Sequence, residues 1–245
     1  MDLNLKGKKA LVFGSSSGIG KAVAQSLINE GAQVALCSRS LDKLEATAKE
    51  IGATTYFACD LTKKGEAKKA VEQTIDKLGS VDILVTNTGG PAKGSFMDVS
   101  LEQWNNDYQS LWLSVVESLH ASLPTMKKNN FGRVLLITSI AAKEPLAGLT
   151  TSNGLRAGLT GLVKSVANEY APFGVTFNLL LPGYTATDRL KALNLSDEKV
   201  KAMVPCGRLG KPSELADLAT FLSSEKGSYI TGQSIAVDGG VLKGH

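Results

Sequence analysis

Short apolar segments alternate along the chain with longer segments of helical periodicity. Several of the short segments are apolar almost throughout, as expected of parallel strands that are buried on both faces of a sheet. Strand, helix and strand at this spacing predict right-handed β–α–β crossovers. The predicted strands are Ala10–Phe13, Gln33–Cys37, Thr55–Ala58, Ile83–Thr86, Val134–Thr138, Val175–Leu180 and Ser234–Val237. The predicted helices are Ile19–Asn29, Leu41–Ile51, Gly65–Leu78, Leu101–Lys128 and Gly154–Tyr170.

This alternation predicts an α/β fold with a mostly parallel, doubly wound sheet of seven strands and helices on both faces. The length of 245 residues is compatible with one domain or two. We expect a single Rossmann domain over residues 1–245, because the sequence has no internal repeat and no Pro/Ser-rich linker. The segment Thr187–Gly210 is a long, charged insertion before the last predicted strand.

The composition excludes several other classes of protein. Hydrophobic residues make up 43% of the chain and the formal net charge is only +4, which excludes a disordered chain. The densest basic stretch, between Lys63 and Lys69, fits a solvated helical face, so we expect no nucleic-acid partner. No apolar segment reaches membrane-spanning length and the N-terminus has no apolar signal region, so we expect a cytoplasmic protein that does not bind membranes. The three cysteines are widely spaced, which indicates neither a disulfide framework nor a metal site.

A glycine-rich turn directly follows the first predicted strand. Glycines allow a tight turn and a close approach of the backbone to a pyrophosphate. The N-terminus of the following helix then offers free N–H groups and a partial positive charge to the phosphates. The turn lies at the first strand–helix junction of a β–α–β series, which is the context that a dinucleotide site requires. The predicted phosphate-binding residues are Gly14, Ser15, Ser16, Ser17, Gly18, Ile19 and Gly20.

The end of the second predicted strand indicates which dinucleotide binds. An acidic residue there holds the ribose 2′-hydroxyl of NAD(H), whereas an arginine accommodates the 2′-phosphate of NADP(H). This strand ends in Ser38 and Arg39, with no acidic residue. Arginine pairs with phosphate through two parallel hydrogen bonds. We therefore expect NADP(H), bound through Ser38 and Arg39; the alternative is that Arg39 is an ordinary surface residue at a strand end.

Further motifs lie at the ends of the later predicted strands. They are Asp60-Leu61, Thr86-Asn87-Thr88-Gly89, Ser139, Pro182-Gly183-Tyr184-Thr185-Ala186-Thr187, Gly232-Gln233 and Val237-Asp238-Gly239-Gly240. With the GxxxGxG spacing of the glycine turn, they make the sequence similar to the short-chain dehydrogenase/reductase (SDR) family over essentially the whole chain. The C-terminal motifs resemble the 3-oxoacyl-carrier-protein reductase branch.

The resemblance implies roles for these residues. Asp60 and Leu61 would hold the adenine, Ser139 occupies the position of the catalytic serine, and the substrate would be a small carbonyl, alcohol or acyl compound. The remaining cofactor residues that the resemblance implies are Asn87, Thr88, Gly89, Pro182, Gly183, Thr185 and Thr187, the last four at the nicotinamide. The resemblance also implies a homo-oligomer, a dimer of dimers, because in this family the long helix and the next one form a four-helix contact between subunits.

The sequence departs from the family at the residues that carry out the chemistry. The family has a tyrosine thirteen residues after the serine and a lysine four residues further on, and this chain has Ser152 and Arg156 there. The asparagine that completes the family's tetrad lies seven residues after a tryptophan, and from Trp104 that position is Leu111. Only Ser139 remains of the four catalytic positions.

These departures change the chemistry that is available. A lysine lowers the phenol pKa of about 10 toward neutrality, whereas serine is a far weaker acid and arginine does not release its proton. Ser139 and Ser152 can still donate hydrogen bonds to a polarised oxygen, and Arg156 can hold the nicotinamide ribose or stabilise negative charge. We therefore predict catalytic roles for these three residues. The alternative for Ser152 is that it caps a helix that begins near Asn153 and Gly154.

Other side chains are weaker candidates to replace the missing acid. Tyr184 lies in the predicted nicotinamide loop, Tyr108 precedes Leu111 by about one helical turn, and packing roles compete for both. Tyr170 and His120 are interpreted as packing or surface residues. Two functions are thus open: an NADP(H)-dependent oxidoreductase with an atypical active site, or a catalytically impaired relative that acts as an NADP(H) sensor or partner subunit.

Overall fold

The computed structural model describes residues 2–91, 93–192 and 194–244, with the side chain of Arg189 left aside. Within these residues seven strands form one sheet in the order β3-β2-β1-β4-β5-β6-β7, and every pairing is parallel. The strands are β1 (Lys9–Phe13), β2 (Gln33–Ser38), β3 (Thr55–Ala58), β4 (Ile83–Asn87), β5 (Gly132–Ile137), β6 (Val175–Pro182) and β7 (Gln233–Val237). The predicted α/β sheet is confirmed, with strand ends within two residues of those expected.

Helices cover both faces of the sheet. They are α1 (Gly18–Asn29), α2 (Leu41–Ile51), α3 (Glu66–Leu78), α4 (Leu101–Tyr108), α5 (Ser114–Lys128), α6 (Thr150–Tyr170), α7 (Asp188–Lys191), α8 (Asp197–Met203) and α9 (Pro212–Ser223). Apolar residues of α3, α5 and α6 pack with one face of the strands, and those of α1, α2 and α9 pack with the other. Strands β1, β4, β5 and β6 are therefore almost completely buried, which explains why their sequences are predominantly apolar.

Three helical predictions differ from the structure. The helix expected over Leu101–Lys128 is interrupted by a π-helical turn at Gln109–Leu113, which separates α4 from α5. The last long predicted helix begins at Thr150 rather than at Gly154, because burial of its first turn outweighs the weak helix propensity of these residues. Helix α9 was missed, although Pro212 at its first turn and the capping contact of Glu214 are typical signals of a helix start.

The strand order reverses at β1, which has β2 on one side and β4 on the other. In doubly wound sheets, ligands bind outside the carboxyl ends of the strands at this point. Except for Gly232-Gln233, which lies at the start of β7, the motifs singled out above lie at or just after the carboxyl ends of the strands. The topology therefore gathers them at one edge of the sheet.

The opposite edge of the sheet is held by a buried arginine. Arg133, which is 3% exposed, donates to three backbone carbonyls, those of Gly132, Gly174 and Ser224, at 2.8–3.0 Å. Its guanidinium also lies 4.3 Å from the centre of the Phe131 ring. These contacts join the start of β5 to the segments that precede β6 and follow α9.

Across the described residues, no helix is both long and apolar enough to cross a membrane. The same residues contain no group of three or more His, Cys, Asp or Glu side chains that could hold a metal ion. Cys37 and Cys59 are buried and Cys206 is exposed, and all three are free thiols. A hydrogen bond with the Cys59 thiol, together with burial, raises the pKa of Cys37 well above its usual value, so this thiol is unreactive.

Candidate active site

The turn after β1 packs closely against the end of β4, through contacts of Gly14 and Gly20 with Asn87. Asn87 Nδ2 donates to the Gly14 carbonyl at 3.3 Å, and a Cβ atom on Gly20 would lie 2.3 Å from the same oxygen. Gly14 has a φ of +62°, and a Cβ there would lie 2.5 Å from the Asn87 carbonyl. Any side chain at these two glycines would therefore push the turn away from β4.

The N-terminus of α1 has the properties of an anion site. Ser17 precedes the helix without a side-chain cap, and the first turn contains no acidic residue. The first N–H groups of the helix and its partial positive charge are thus left for a ligand. The turn residues Gly14, Ser16, Ser17, Gly18 and Ile19 surround this helix end, and they fit the pyrophosphate of a dinucleotide.

Ser15 differs from its neighbours in the turn. It is completely buried, and its Oγ accepts a 2.8 Å hydrogen bond from the N–H of Cys37 in β2. Thr47 in α2 donates to the Ser16 carbonyl at 3.1 Å. The side chain of Ser15 therefore ties the turn to β2, and Thr47 ties it to α2. The contribution of Ser15 to a phosphate site would come from the shape of its backbone.

The ends of β2 and β3 lie side by side and provide the adenosine end of the site. The Oγ of Ser38 is buried without a hydrogen-bond partner in the described part of the chain, and Arg39 is exposed beside it. Burial by itself raises the pKa of Asp60. Hydrogen bonds from the side chain and backbone of Thr62, and the nearby positive charges of Lys63 and Arg39, lower the pKa by more. The pKa of Asp60 is therefore below its usual value. Asp60 is thus a carboxylate at neutral pH, close to an exposed arginine. This arrangement fits an adenosine that carries a 2′-phosphate.

The loop after β6 reaches the phosphate turn. The Thr187 methyl group would lie 3.2 Å from a Cβ on Gly18, so the two loops touch. Thr185 is 7% exposed, its Oγ1 donates to the Gly183 carbonyl at 3.3 Å, and its backbone pairs with Gly210. Pro182, the last residue of β6, aims this loop across the carboxyl ends of the strands. The loop is placed where the nicotinamide end of a dinucleotide bound at α1 would lie.

The three predicted catalytic residues come from β5 and α6. Ser139 lies just after β5, half-buried, and its Oγ accepts from the Ala141 N–H at 3.1 Å. Ser152 and Arg156 are 3% and 5% exposed, and Arg156 Nε donates to Ser152 Oγ at 3.2 Å. The Arg156 guanidinium also donates to the carbonyl of Ile137, the last residue of β5, at 3.4 Å. The cation thus joins the start of α6 to the strand that carries Ser139.

The interpretation of Ser152 as a helix cap is wrong. Helix α6 is preceded by Leu149, and Ser152 lies in its first turn with its hydroxyl oxygen accepting from Arg156 rather than from a backbone N–H. Because its oxygen accepts this bond, the O–H of Ser152 remains to donate to another acceptor. Leu111, at the position of the family's asparagine, is 1% exposed and lies in the π-helical turn.

The other candidate acids have different positions. Tyr108 is 41% exposed and stacks on Trp112, so it is not a core residue. Tyr170 packs edge-on against Phe173 and Phe177, as predicted for a packing residue. Within the described residues, neither tyrosine makes a hydrogen bond to Ser139 or Ser152.

His120 and Tyr184 are the other two candidate acids. His120 is an exposed residue of α5 that lines a cavity between α5 and α6. Tyr184 is half-buried in the loop after β6, and its carbonyl accepts from the Gly210 N–H at 2.9 Å. Tyr184 is therefore the one of these four residues whose backbone belongs to a loop of the site.

Asn153 was missed as a site residue by sequence reasoning, which treated it only as part of a helix start. Its side-chain amide makes two hydrogen bonds to the backbone of Leu146, accepting at 3.1 Å and donating at 2.9 Å. Leu146 lies in the segment that connects Ser139 to Ser152. Asparagine is common in loops, so no sequence signal would have pointed to this pairing.

The fold and the glycine-rich turn define a dinucleotide-binding protein of the Rossmann type. The model of the family described as enoyl-(acyl carrier protein) reductase matches residues 14–242. The 3-oxoacyl-[acyl-carrier-protein] reductase FabG of Vibrio cholerae is 36% identical over 243 residues, which cover 98% of this chain and 99% of that protein. The chain therefore belongs to the short-chain dehydrogenase/reductase family, as its motifs predicted.

Two solved structures have the same fold at similar identity. The NADP-bound 3-oxoacyl (acyl-carrier-protein) reductase of Agrobacterium tumefaciens C58 gives a TM-score of 0.92 at 31% identity, covering 98% of this chain and 96% of that one. An NADPH-bound short chain oxidoreductase of Pseudomonas aeruginosa PAO1, described as containing an atypical catalytic center, gives 0.90 at 30% identity, covering 97% and 98%. Both structures place an NADP-type cofactor on this fold.

Proposed function

We propose that this protein is an NADP(H)-dependent oxidoreductase that reduces a carbonyl group of a small or acyl substrate. In this proposal Ser139, Ser152 and Arg156 replace the acid–base residues usual in its family. The observation that carries it is the hydrogen bond from Arg156 to Ser152 at the end of β5, because it leaves a serine O–H, backed by a buried cation, to face a substrate oxygen. The similarity to 3-oxoacyl reductases supports the reaction class.

The cofactor is assigned to residues at the carboxyl edge of the sheet. The uncapped start of α1 would hold the pyrophosphate, Ser38 and Arg39 the 2′-phosphate, and Asp60 and Leu61 the adenine. The nicotinamide end would lie among Asn87, Thr88, Gly89, Pro182, Gly183, Thr185 and Thr187, with Arg156 beneath its ribose. When bound, NADPH supplies the hydride.

Ser139 and Ser152 would act on the substrate oxygen as hydrogen-bond donors. Hydride addition to a carbonyl carbon places negative charge on the oxygen, and hydrogen-bond donors that are fixed in advance stabilise this charge. Ser139 is held by the Ala141 N–H and Ser152 by Arg156, so both hydroxyl groups have defined positions before substrate binds. The guanidinium adds a permanent positive charge behind Ser152.

Protonation of the product oxygen would then come from water. In the described part of the chain, neither Ser139 nor Ser152 makes a hydrogen bond to a carboxyl, imidazole, phenol or ammonium group. General acid catalysis typically contributes about 10²–10⁴-fold, whereas positioning of the reactants can contribute about 7–11 kcal/mol. We therefore expect the enzyme to favour carbonyl groups that are already activated by a neighbouring electron-withdrawing group.

The assembly is proposed to be a cytoplasmic homo-oligomer of single-domain subunits, a dimer of dimers. A cavity of about 290 Å³ lies between α5 and α6 and is lined by apolar residues such as Leu119, Leu123, Leu162 and Val166. Such a face favours contact with a second copy of the chain. Native mass spectrometry would give the number of subunits directly, and a monomer at micromolar concentration would contradict this part of the proposal.

NADPH consumption tests the function. Purified protein would be mixed with NADPH and a panel of activated and simple ketones, and oxidation followed by the cofactor's absorbance. We expect turnover of activated ketones that disappears in Ser139→Ala and Ser152→Ala, with Ser165→Ala on the outer part of α6 as the matched control. Tight NADPH binding with no turnover of any substrate would contradict the proposal and favour an NADP(H) sensor or partner subunit.

A further inference from the structure

The loop of residues 143–149, here called the serine loop, connects the region of Ser139 to the start of α6. Three hydrogen bonds tie its residues Leu146 and Gly148 to neighbouring segments. Two are the hydrogen bonds between the side-chain amide of Asn153 and the backbone of Leu146. The third runs from the Gly94 N–H to the Gly148 carbonyl at 2.9 Å and ties the loop to the segment that follows β4. The positions of both serines therefore depend on how firmly this loop is held.

The C-terminal segment, residues 238–244, starts at the nicotinamide loop. The Gly183 N–H donates to the Val237 carbonyl at 3.0 Å, and a Cβ on Gly183 would lie 2.7 Å from the Asp238 Cα. The Asp238 carboxylate then accepts from the N–H groups of Gly240 and Leu242 at 2.9 and 2.8 Å. These bonds turn the chain back across the site instead of letting it leave the edge of the sheet.

The same segment ends on the serine loop. Glu144 Oε1 accepts from the N–H groups of Lys243 and Gly244 at 2.8 and 2.6 Å. Hydrogen bonds to a carboxylate are roughly twice as strong as those between neutral groups. The C-terminal segment therefore spans from the loop that would cover the nicotinamide to the loop that positions the two serines.

We propose that the C-terminal segment forms one wall of the substrate site, and that Glu144 and Asn153 are positioning residues for it and for the serine loop. Val241 and Leu242 of this wall, and Leu146 of the serine loop, are half-buried and pack on the same apolar core. Val241 and Leu242 therefore give an apolar character to the segment that runs between the nicotinamide loop and the serine loop. The substrate class that this wall fits is a carbonyl compound whose carbonyl carries an apolar substituent. This inference rests on the proposed function, because it assigns the substrate of the same site.

Hydrogen–deuterium exchange tests the contacts without requiring any substrate. In Glu144→Ala we expect amide exchange in residues 143–149 and 241–244 to rise about tenfold, since local opening no longer breaks these two bonds. Asn153→Ala should raise exchange in 143–149 alone. Glu144→Gln, whose amide oxygen can still accept both bonds, should restore most of the protection. Glu45→Ala, an exposed glutamate on α2, is the matched control.

Kinetics with a graded series of ketones tests the role in specificity. For ethyl 2-oxo esters whose alkyl chain grows from methyl to hexyl, we expect kcat/KM of the wild type to rise by about threefold or more per added methylene, as for transfer of alkyl groups to an apolar wall. Leu242→Ser should flatten this rise, and Glu144→Ala should raise KM by about tenfold while NADPH affinity stays unchanged. Asn153→Ala should instead lower kcat, because it loosens the loop between the two serines.

The outcomes separate this inference from the proposed function. If exchange in 143–149 is unchanged in both Glu144→Ala and Asn153→Ala, the positioning role is wrong, whatever the activity. If the wild type reduces ketones but Leu242→Ser keeps the full dependence on chain length, the substrate wall is wrong and the proposed function stands. If no carbonyl compound is reduced by a protein that binds NADPH, the proposed function fails, and with it the substrate class.

Discussion

Arg156 donates from its Nε to the Oγ of Ser152, one helical turn away, across 3.2 Å inside the protein. In the proposed mechanism these two residues act together, as a serine backed by a permanent cation. Arginine stays protonated at neutral pH, so the contact is suited to stabilising negative charge on an oxygen rather than to donating a proton to it.

Loss of Arg156 should therefore reduce catalysis more than cofactor binding. For Arg156→Ala we expect kcat with an activated ketone to fall about 10²–10³-fold, as when an oxyanion donor is removed. Arg156→Lys keeps the charge but loses the planar donor geometry, and we expect it to recover only part of the loss. Steady-state kinetics with Arg208→Ala as the surface control would measure this, and equal activity in Arg156→Ala and wild type would contradict the assignment.

Restoring the usual residues gives the converse prediction. The triple variant Leu111→Asn, Ser152→Tyr and Arg156→Lys should gain reduction of simple ketones by about 10²–10⁴-fold, the usual contribution of a general acid. The gain should depend on the ionisation of the new phenol, so the pH–rate profile should acquire a step that the wild type lacks. A folded variant that binds NADPH without any gain would show that the substrate site differs as well as the acid.

The choice between the two dinucleotides should depend on Arg39. Arg39→Glu places a negative charge beside Ser38 and close to Asp60. The proposed attraction between Arg39 and the 2′-phosphate of NADPH is then replaced by a repulsion. We expect the dissociation constant for NADPH to rise about 100-fold, while that for NADH changes little. Titration by nicotinamide fluorescence would measure both constants. Lys43→Glu, on the exposed start of α2, controls for the change in net charge.

Two glycines of α6 should respond oppositely to the same substitution. A Cβ added at Gly154 would meet no atom within 4 Å, so Gly154→Ala should stabilise the protein by up to about 1 kcal/mol through helix propensity. At Gly158 the new Cβ would lie 2.6 Å from the Trp112 ring, so Gly158→Ala should destabilise it by about 1–3 kcal/mol through overpacking. Thermal unfolding would show the two signs, and Trp fluorescence should change only in Gly158→Ala.

Acid resistance should depend in part on Arg208 and Glu214. The Arg208 side chain bonds both carboxylate oxygens of Glu214, at 2.7 and 2.9 Å, and lowers the Glu214 pKa to about 2. A depressed pKa in the folded state stabilises the protein above the usual carboxyl pKa, and the effect is lost as pH falls toward about 2. Arg208→Ala should thus lower the unfolding temperature at pH 7 and leave it unchanged near pH 2. Because the pair is exposed, the difference should shrink in high salt.

The sheet could be predicted from the sequence because burial on both faces gives the central strands a predominantly apolar sequence. The turn after β1 could also be predicted from the sequence, since only glycine tolerates the contacts of Gly14 and Gly20 with β4. Two parts of the chain, Ser38-Arg39 after β2 and Asp60 after β3, lie side by side because these parallel strands end at the same edge of the sheet.

The contacts among the proposed catalytic and positioning residues could not be predicted from the sequence. With α6 expected to begin at Gly154, Ser152 and Arg156 were not on one helix, so their contact was not foreseen. Glu144 and the backbone of Lys243 are 99 residues apart in the chain, and no local pattern links a carboxylate to main-chain N–H groups at that separation. Such contacts depend on how the loops pack, which is not encoded in periodicity.

Arg133 and its three carbonyl partners lie at the amino edge of the sheet, away from every residue assigned to the chemistry. The hydrogen bonds of Arg133, which connect β5 to the segments beside β6 and α9, are thus separate from the residues proposed to bind substrate. Substitutions at the carboxyl edge can therefore accumulate without breaking these hydrogen bonds. A protein built in this way can exchange its catalytic groups over evolutionary time while it keeps its architecture, and the proposed use of Ser139, Ser152 and Arg156 would be a change of that kind.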